Sequence, residues 1–183
     1  MIVGAEGAYY LTQDGRRVFD GLSGLWTTGA GHCRSEISNA VALQLSALDY
    51  SPAFQFGHPL AFSLADRLVD MAPDNLNHVF FTNSGSEANE KAFKMVRQIA
   101  HKRFGGKKYK ILYRERDYHG TTIGTLSAGG QDERNAQYGP FAPGFVRVPH
   151  CLEYRAQWHL NGEAYGKRAA DSIEEVILAE GPD

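Results

Sequence analysis

Cysteine is scarce in this chain: Cys33 and Cys151 are the only two among 183 residues. That argues against a disulfide framework and for a reducing compartment. Each cysteine follows a histidine, His32 or His150. Neither pair has the spaced ligands of a structural zinc site, so no metal is expected. An excess of one charge is also lacking. Lys and Arg number 19 against 21 Asp and Glu, a formal net charge of -2. Nucleic acid and anionic membrane surfaces therefore have no electrostatic footing. No apolar run approaches the roughly 18 residues that a membrane-spanning helix needs. The first thirty residues carry Glu6, Asp14 and Asp20 and no long apolar stretch, so no secretion signal is read there and a cytoplasmic protein is expected. Internal repeats and low-complexity tracts are missing too.

What is present is a foldable chain, 43% hydrophobic, of a length that fits one domain. Residues 8–12 and 17–20 flank Asp14-Gly15 and predict a hairpin closed by a tight primed turn. A glycine-rich stretch with Trp26 follows, from Gly21 to Gly31. Ile37, Val41, Leu45 and Leu48 predict a helix from about Ser35, with Ser35 as N-cap. Pro59 opens a second helix with Leu60, Leu64, Leu68 and Met71 on its apolar face, and Pro73 stops it. Residues 78–81 read as a strand, and 82–86 are small and polar. A helix through Ala88, Ala92, Met95, Val96 and Ile99 ends at Gly105-Gly106. Residues 109–113 read as the next strand, and 164–180 as a final helix with Ala169, Ile173, Val176 and Ile177 inward. Residues 129–162 show no clear period. Strand, small-residue loop, helix, strand is a βαβ unit, which predicts an α/β fold with a mainly parallel sheet.

Ser84-Gly85-Ser86 stands where the predicted strand gives way to the helix. The first amides of a helix lack internal partners and sit at the positive end of its dipole, so an anion is stabilised there. Gly85 lets the backbone come close, and the hydroxyls of Ser84 and Ser86 add donors. Taken alone, the tripeptide reads more readily as a plain helix cap. Nucleotide loops fit poorly. There is no Gly-x-x-x-x-Gly-Lys-Ser/Thr, and Gly29-Ala30-Gly31 is followed by Arg34 where a dinucleotide fingerprint has its third glycine.

The surroundings decide between these readings. Residues 80–92, with Tyr118-His119-Gly120 after the next strand, resemble class III pyridoxal-phosphate (PLP) aminotransferases. So do residues 19–26 and Gly31-His32. Residues 25–27 and 48–59 look like ω-amino acid (β-alanine):pyruvate aminotransferases. Residues 86–98, 116–124 and 137–145 look more like taurine:pyruvate aminotransferases. The resemblance implies a PLP-dependent transferase of fold type I, with residues 1–58 as N-terminal segment and 59–183 as the first part of the large domain. It implies that Ser84, Gly85 and Ser86 hold the cofactor phosphate, that Tyr118 stacks on the pyridine ring and that His119 lies beside it. By the same resemblance Trp26 and Phe54 line the substrate pocket, against the plainer reading of both as packing residues. For Tyr118 the plainer reading is a core or interface tyrosine.

The implied reaction moves an amino group from an ω-amino acid, taurine or an amine to pyruvate, giving an aldehyde and alanine, in a homodimer or tetramer. A mutase or decarboxylase on the same fold is the alternative, as is an inactive truncated chain. No catalytic residue is nominated. Lys91 and Lys94 belong to the phosphate helix, and the resemblance puts the Schiff-base lysine and the aspartate for the pyridinium nitrogen beyond residue 183. The expectation is therefore an N-terminal fragment.

Overall fold

The computed structural model describes residues 1–155 and 157–182. They gather into two units, Met1–Val79 and the residues from Phe80 onward.

The first unit begins with a three-stranded antiparallel sheet, β1 (Ile2–Glu6), β2 (Tyr9–Thr12) and β3 (Arg17–Phe19), in that order. The predicted hairpin is β2–β3, and β1 adds to it with an irregularity between Ile2 and Gly4. The turn is not a two-residue primed one. Thr12 N–H donates to the Arg16 carbonyl at 3.0 Å, closing a three-residue loop with Gly15 at φ 81°. Thr12 enforces the longer loop, since its hydroxyl accepts from Arg16 N–H at 3.0 Å and donates to Asp14.

A single turn, α1 (Ser23–Trp26), follows, and then α2 (Ser35–Ala47) and α3 (Pro59–Met71). Arg34, not Ser35, is the N-cap of α2 and makes no side-chain bond there. Ser35 lies inside the helix, its hydroxyl 3.4 Å from Glu36. α3 starts and stops where its prolines predict, with the His58 ring accepting from Leu60 N–H at 3.2 Å. The apolar faces of both helices stay exposed.

Residues 78–82 form no strand. Composition suggested one, but a strand needs a ladder partner, and none pairs with it among the described residues. Helix α4 (Gly85–Phe104) comes next and ends on Gly105 in the left-handed conformation, with His101, Lys102 and Arg103 in its last turn. Strand β4 (Ile111–Arg114) pairs in parallel with β5 (Phe145–Val148), as a βαβ reading requires. Between them lie the short helices α5 (Ile123–Ser127) and α6 (Asp132–Asn135). A 3-10 turn at Glu153–Arg155 leads to α7 (Gly162–Glu180). The core is small. Ala100, Leu126, Ala128, Val148, Tyr165 and Ala169 are buried, and Phe93 of α4 meets Phe145 of β5 edge to face at 5.2 Å.

The face that α4 turns inward is not the one its hydrophobic residues suggest. Ser86, Asn89, Glu90, Phe93, Arg97 and Ala100 are half-buried or buried, while Met95, Val96 and Ile99 are exposed. The inward stripe keeps helical spacing but is polar for its first two turns, so a count of apolar residues passes over it.

Candidate functional site

The start of α4 has its own internal order. Ser84 is the N-cap, and its hydroxyl oxygen accepts from Glu87 N–H at 3.2 Å. The Glu87 carboxylate turns back to accept from Asn83 N–H at 2.8 Å, a capping box displaced by one residue. Ala88 N–H donates to the Ser84 carbonyl. The N–H groups of Gly85 and Ser86 then have no acceptor among the described residues. Two bare amides at the positive end of a 20-residue helix are the donor set that elementary electrostatics favours for an anion.

Gly85 supports that reading by what it does not do. A Cβ at this position would meet nothing within 4 Å, and the residue does not have a positive φ. Neither packing nor backbone conformation in this chain asks for glycine at 85. What its missing side chain leaves open is the approach to the two amides. A phosphate fits both the space and the donor set.

Tyr118 lies in the loop after β4, and three bonds tie that loop to α4. Asn89 Nδ2 donates to the His119 carbonyl at 2.7 Å. Thr121 N–H donates to Ser86 Oγ at 3.1 Å. The Thr122 hydroxyl donates to the Glu90 carboxylate. Gly120 permits the approach, because a Cβ there would collide with Ser86 Oγ and lie 2.7 Å from Thr125 Oγ1, at a φ of 139°. The start of α4 and the loop that carries Tyr118 thus belong to one bonded assembly. Tyr118 is 53% exposed among the described residues. His119 joins the assembly through its backbone. Its ring lies 3.9 Å from the Asp117 carboxylate.

On its other side the Tyr118 loop rests on residues 129–134. Arg116 N–H donates to the Gly130 carbonyl at 2.8 Å, and Gly130 N–H donates to the Asp117 carbonyl at 2.9 Å. A Cβ at Gly130 would strike the backbone of residues 114–116. The Arg134 guanidinium lies over the Tyr118 ring, 5.2 Å from its centre.

In the first unit, Trp26 is 84% exposed and Phe54 is wholly exposed, so neither is packed against the described residues. Trp26 ends a turn in which Ser23, Gly24, Leu25 and Trp26 all have positive φ, from 49° to 70°. Side chains resist that conformation by about 1–2 kcal/mol per residue. Asp20 holds the turn: its carboxylate accepts from Leu22 N–H at 3.1 Å and Gly24 N–H at 2.6 Å. The same carboxylate bonds His32 Nε2 at 2.7 Å, with both side chains nearly enclosed. The His32 bond, backed by the Gly24 and Leu22 amides and Tyr10, holds the Asp20 carboxyl below the usual carboxylate range, against the opposing effect of its partial burial.

Sequence reasoning missed Asn89, Glu90, Thr122 and Arg134. A signal for the first two existed: they stand three and four residues after Ser86, on its helix face. Thr122 and Arg134 have no such local mark.

The family model for aminotransferase class III matches residues 1–181. A hypotaurine/taurine–pyruvate aminotransferase of Paracoccus denitrificans is 56% identical over 170 residues, covering 92% of this chain and 36% of that protein. An ω-amino acid–pyruvate aminotransferase of Pseudomonas putida is 50% identical over 152 residues, covering 83% of this chain and 34% of that protein. The structure of an ω-transaminase from Pseudomonas jessenii in complex with PMP superposes with a TM-score of 0.94 at 32% identity. It covers all of this chain and 41% of that one. The chain thus spans little more than a third of the length of the curated relatives it matches.

Proposed function

The chain belongs to the class III aminotransferases, and from that membership we propose that it forms the phosphate- and ring-binding part of a PLP-dependent aminotransferase. The reaction we assign to the full-length protein passes nitrogen from a donor with a terminal amine to pyruvate, giving an aldehyde and alanine. Its donor is an ω-amino acid or taurine, the substrates that the relatives' names carry. A cytoplasmic homodimer or tetramer belongs to the same proposal.

The observation that carries it is the pair of unpartnered amides of Gly85 and Ser86, bonded through Ser86, Asn89 and Glu90 to the loop that presents Tyr118. Gly85 and Ser86 N–H would donate to the cofactor phosphate. The hydroxyl hydrogens of Ser84 and Ser86 are free to add to this, since both oxygens act as acceptors toward backbone N–H groups. Each bond to a charged group contributes about 1.5–3 kcal/mol, so two or three would anchor the cofactor phosphate without help from a covalent link. Tyr118 offers a flat ring to the pyridine, with about 0.5–1.5 kcal/mol beyond area burial, and His119 lies next to it in the chain. Trp26 and Phe54 present exposed aromatic surface to the donor. When bound, PLP supplies the electron sink of the reaction. No lysine here is assigned to the covalent link: Lys91 lies over the Phe80 ring and Lys94 is exposed.

The test is alanine formation by the full-length protein from pyruvate and a panel of β-alanine, longer ω-amino acids, taurine and simple amines. Alanine with at least one donor is expected. Its absence with all of them overturns the aminotransferase reading.

A further inference from the structure

We propose that Arg134 is a positioning residue for the Tyr118 ring: it covers one face of the phenol and leaves the opposite face to the cofactor. The inference rests on the PLP-binding reading above and adds a residue to it.

Arg134 lies on α6, a four-residue helix that cannot hold itself in place. Three anchors hold it. Asp132 forms an ion pair with Arg147 of β5. Asn135 Nδ2 donates to the Gly129 carbonyl at 2.6 Å. Gly130 exchanges backbone bonds with Arg116 and Asp117, on the loop that carries Tyr118. The helix and the ring are therefore fixed to the same backbone.

The charge of Arg134 is left for the ring. Asp132 and Glu133 precede it, yet among the described residues no carboxylate pairs with Arg134. Its guanidinium carbon instead lies 5.2 Å from the ring centre, within the range of a cation–π contact. A half-exposed phenol ring with nothing behind it would sample several tilts. A guanidinium seated on one face restricts those tilts and closes that face to other groups, while the 53% exposure of Tyr118 leaves ring surface for offset stacking.

The experiment uses the full-length protein and two readouts: the rate of pyridoxamine phosphate release and the visible circular dichroism of bound PLP, which reports cofactor tilt. Arg134→Ala is expected to speed release about two- to fivefold, the scale of an exposed cation–π contact, and to diminish the dichroic band. Arg134→Gln, which keeps the length of the side chain, should do the same, and Arg134→Lys should restore part of both. In a Tyr118→Leu background Arg134→Ala should add nothing. Unchanged release and dichroism in Arg134→Ala or Arg134→Gln, with Tyr118→Leu faulty, would overturn the role of Arg134 alone. An equal loss with and without Tyr118 would also overturn it, by showing that Arg134 acts on the fold. Failure of the wild-type protein to retain PLP would overturn the cofactor reading, and this inference with it.

Discussion

Asn89 donates its side-chain amide to the backbone carbonyl of His119 across 2.7 Å, joining two segments thirty residues apart. The bond sits one turn into α4, on the face that also carries Ser86 and Glu90, so what fixes the proposed phosphate site also fixes the backbone next to Tyr118.

Asn89→Ala should therefore affect both halves of the site. It removes one hydrogen bond and leaves the His119 carbonyl short of a partner, a loss of about 0.5–1.5 kcal/mol. In the full-length protein, pyridoxamine phosphate affinity should fall about two- to tenfold by equilibrium dialysis. Asn89→Asp should be worse, because it sets a carboxylate against a carbonyl oxygen.

Gly85 and Gly120 should answer alanine in opposite ways. The Cβ of Gly85→Ala meets no packed neighbour among the described residues, so the urea midpoint of the cofactor-free protein should hold or rise slightly, while PLP affinity drops. Gly120→Ala forces a Cβ against Ser86 and Thr125 and should cost about 1–3 kcal/mol of stability even without cofactor. Equal stability loss in both variants would contradict the assignment of Gly85 to the anion.

The sequence showed these elements unevenly, for physical reasons. α3 was legible at both ends, since Pro59 and Pro73 act locally on the backbone. A parallel sheet is present as expected, but it pairs β4 with β5, a strand inside the stretch that shows no clear period, and not with residues 78–81. Residues 78–81 have strand composition but no ladder, because pairing is a property of neighbours. Ser84, Gly85, Ser86 and Tyr118 stood out through motifs. Asn89 was hidden because its partner is a backbone carbonyl thirty residues on, and Arg134 because its partner is a ring face sixteen residues back.

Asp20 ties stability to pH. Its folded-state pKa is depressed, first by His32 and then by the Gly24 and Leu22 amides and Tyr10. A depressed carboxyl pKa stabilises the fold fully above the unfolded value, near 3.9, and the contribution is lost as pH falls through the folded value. Asp20→Asn should therefore lower the urea midpoint at pH 7, and the gap from wild type should close below about pH 3.9. A gap that persists undiminished into that range would show that the charge is not what matters. The same variant should loosen the left-handed turn and change quenching of Trp26 by iodide at neutral pH.

Ser84 and Ser86 look interchangeable in the sequence, but their bonds separate them. Ser84 Oγ accepts from Glu87 N–H within the helix's own cap, whereas Ser86 Oγ accepts from Thr121 N–H across to the Tyr118 loop. Ser84→Ala should behave as the loss of a cap, costing about 1 kcal/mol whether or not cofactor is present. Ser86→Ala should leave the cap intact but free the Tyr118 loop, so its cost should appear mainly in pyridoxamine phosphate retention. Thermal unfolding of both variants, with and without PLP, reads the difference directly. The cofactor-induced rise in midpoint should shrink more in Ser86→Ala than in Ser84→Ala. The reverse order would mean that the Ser84 hydroxyl is the stronger phosphate donor and that its role at the helix end is secondary.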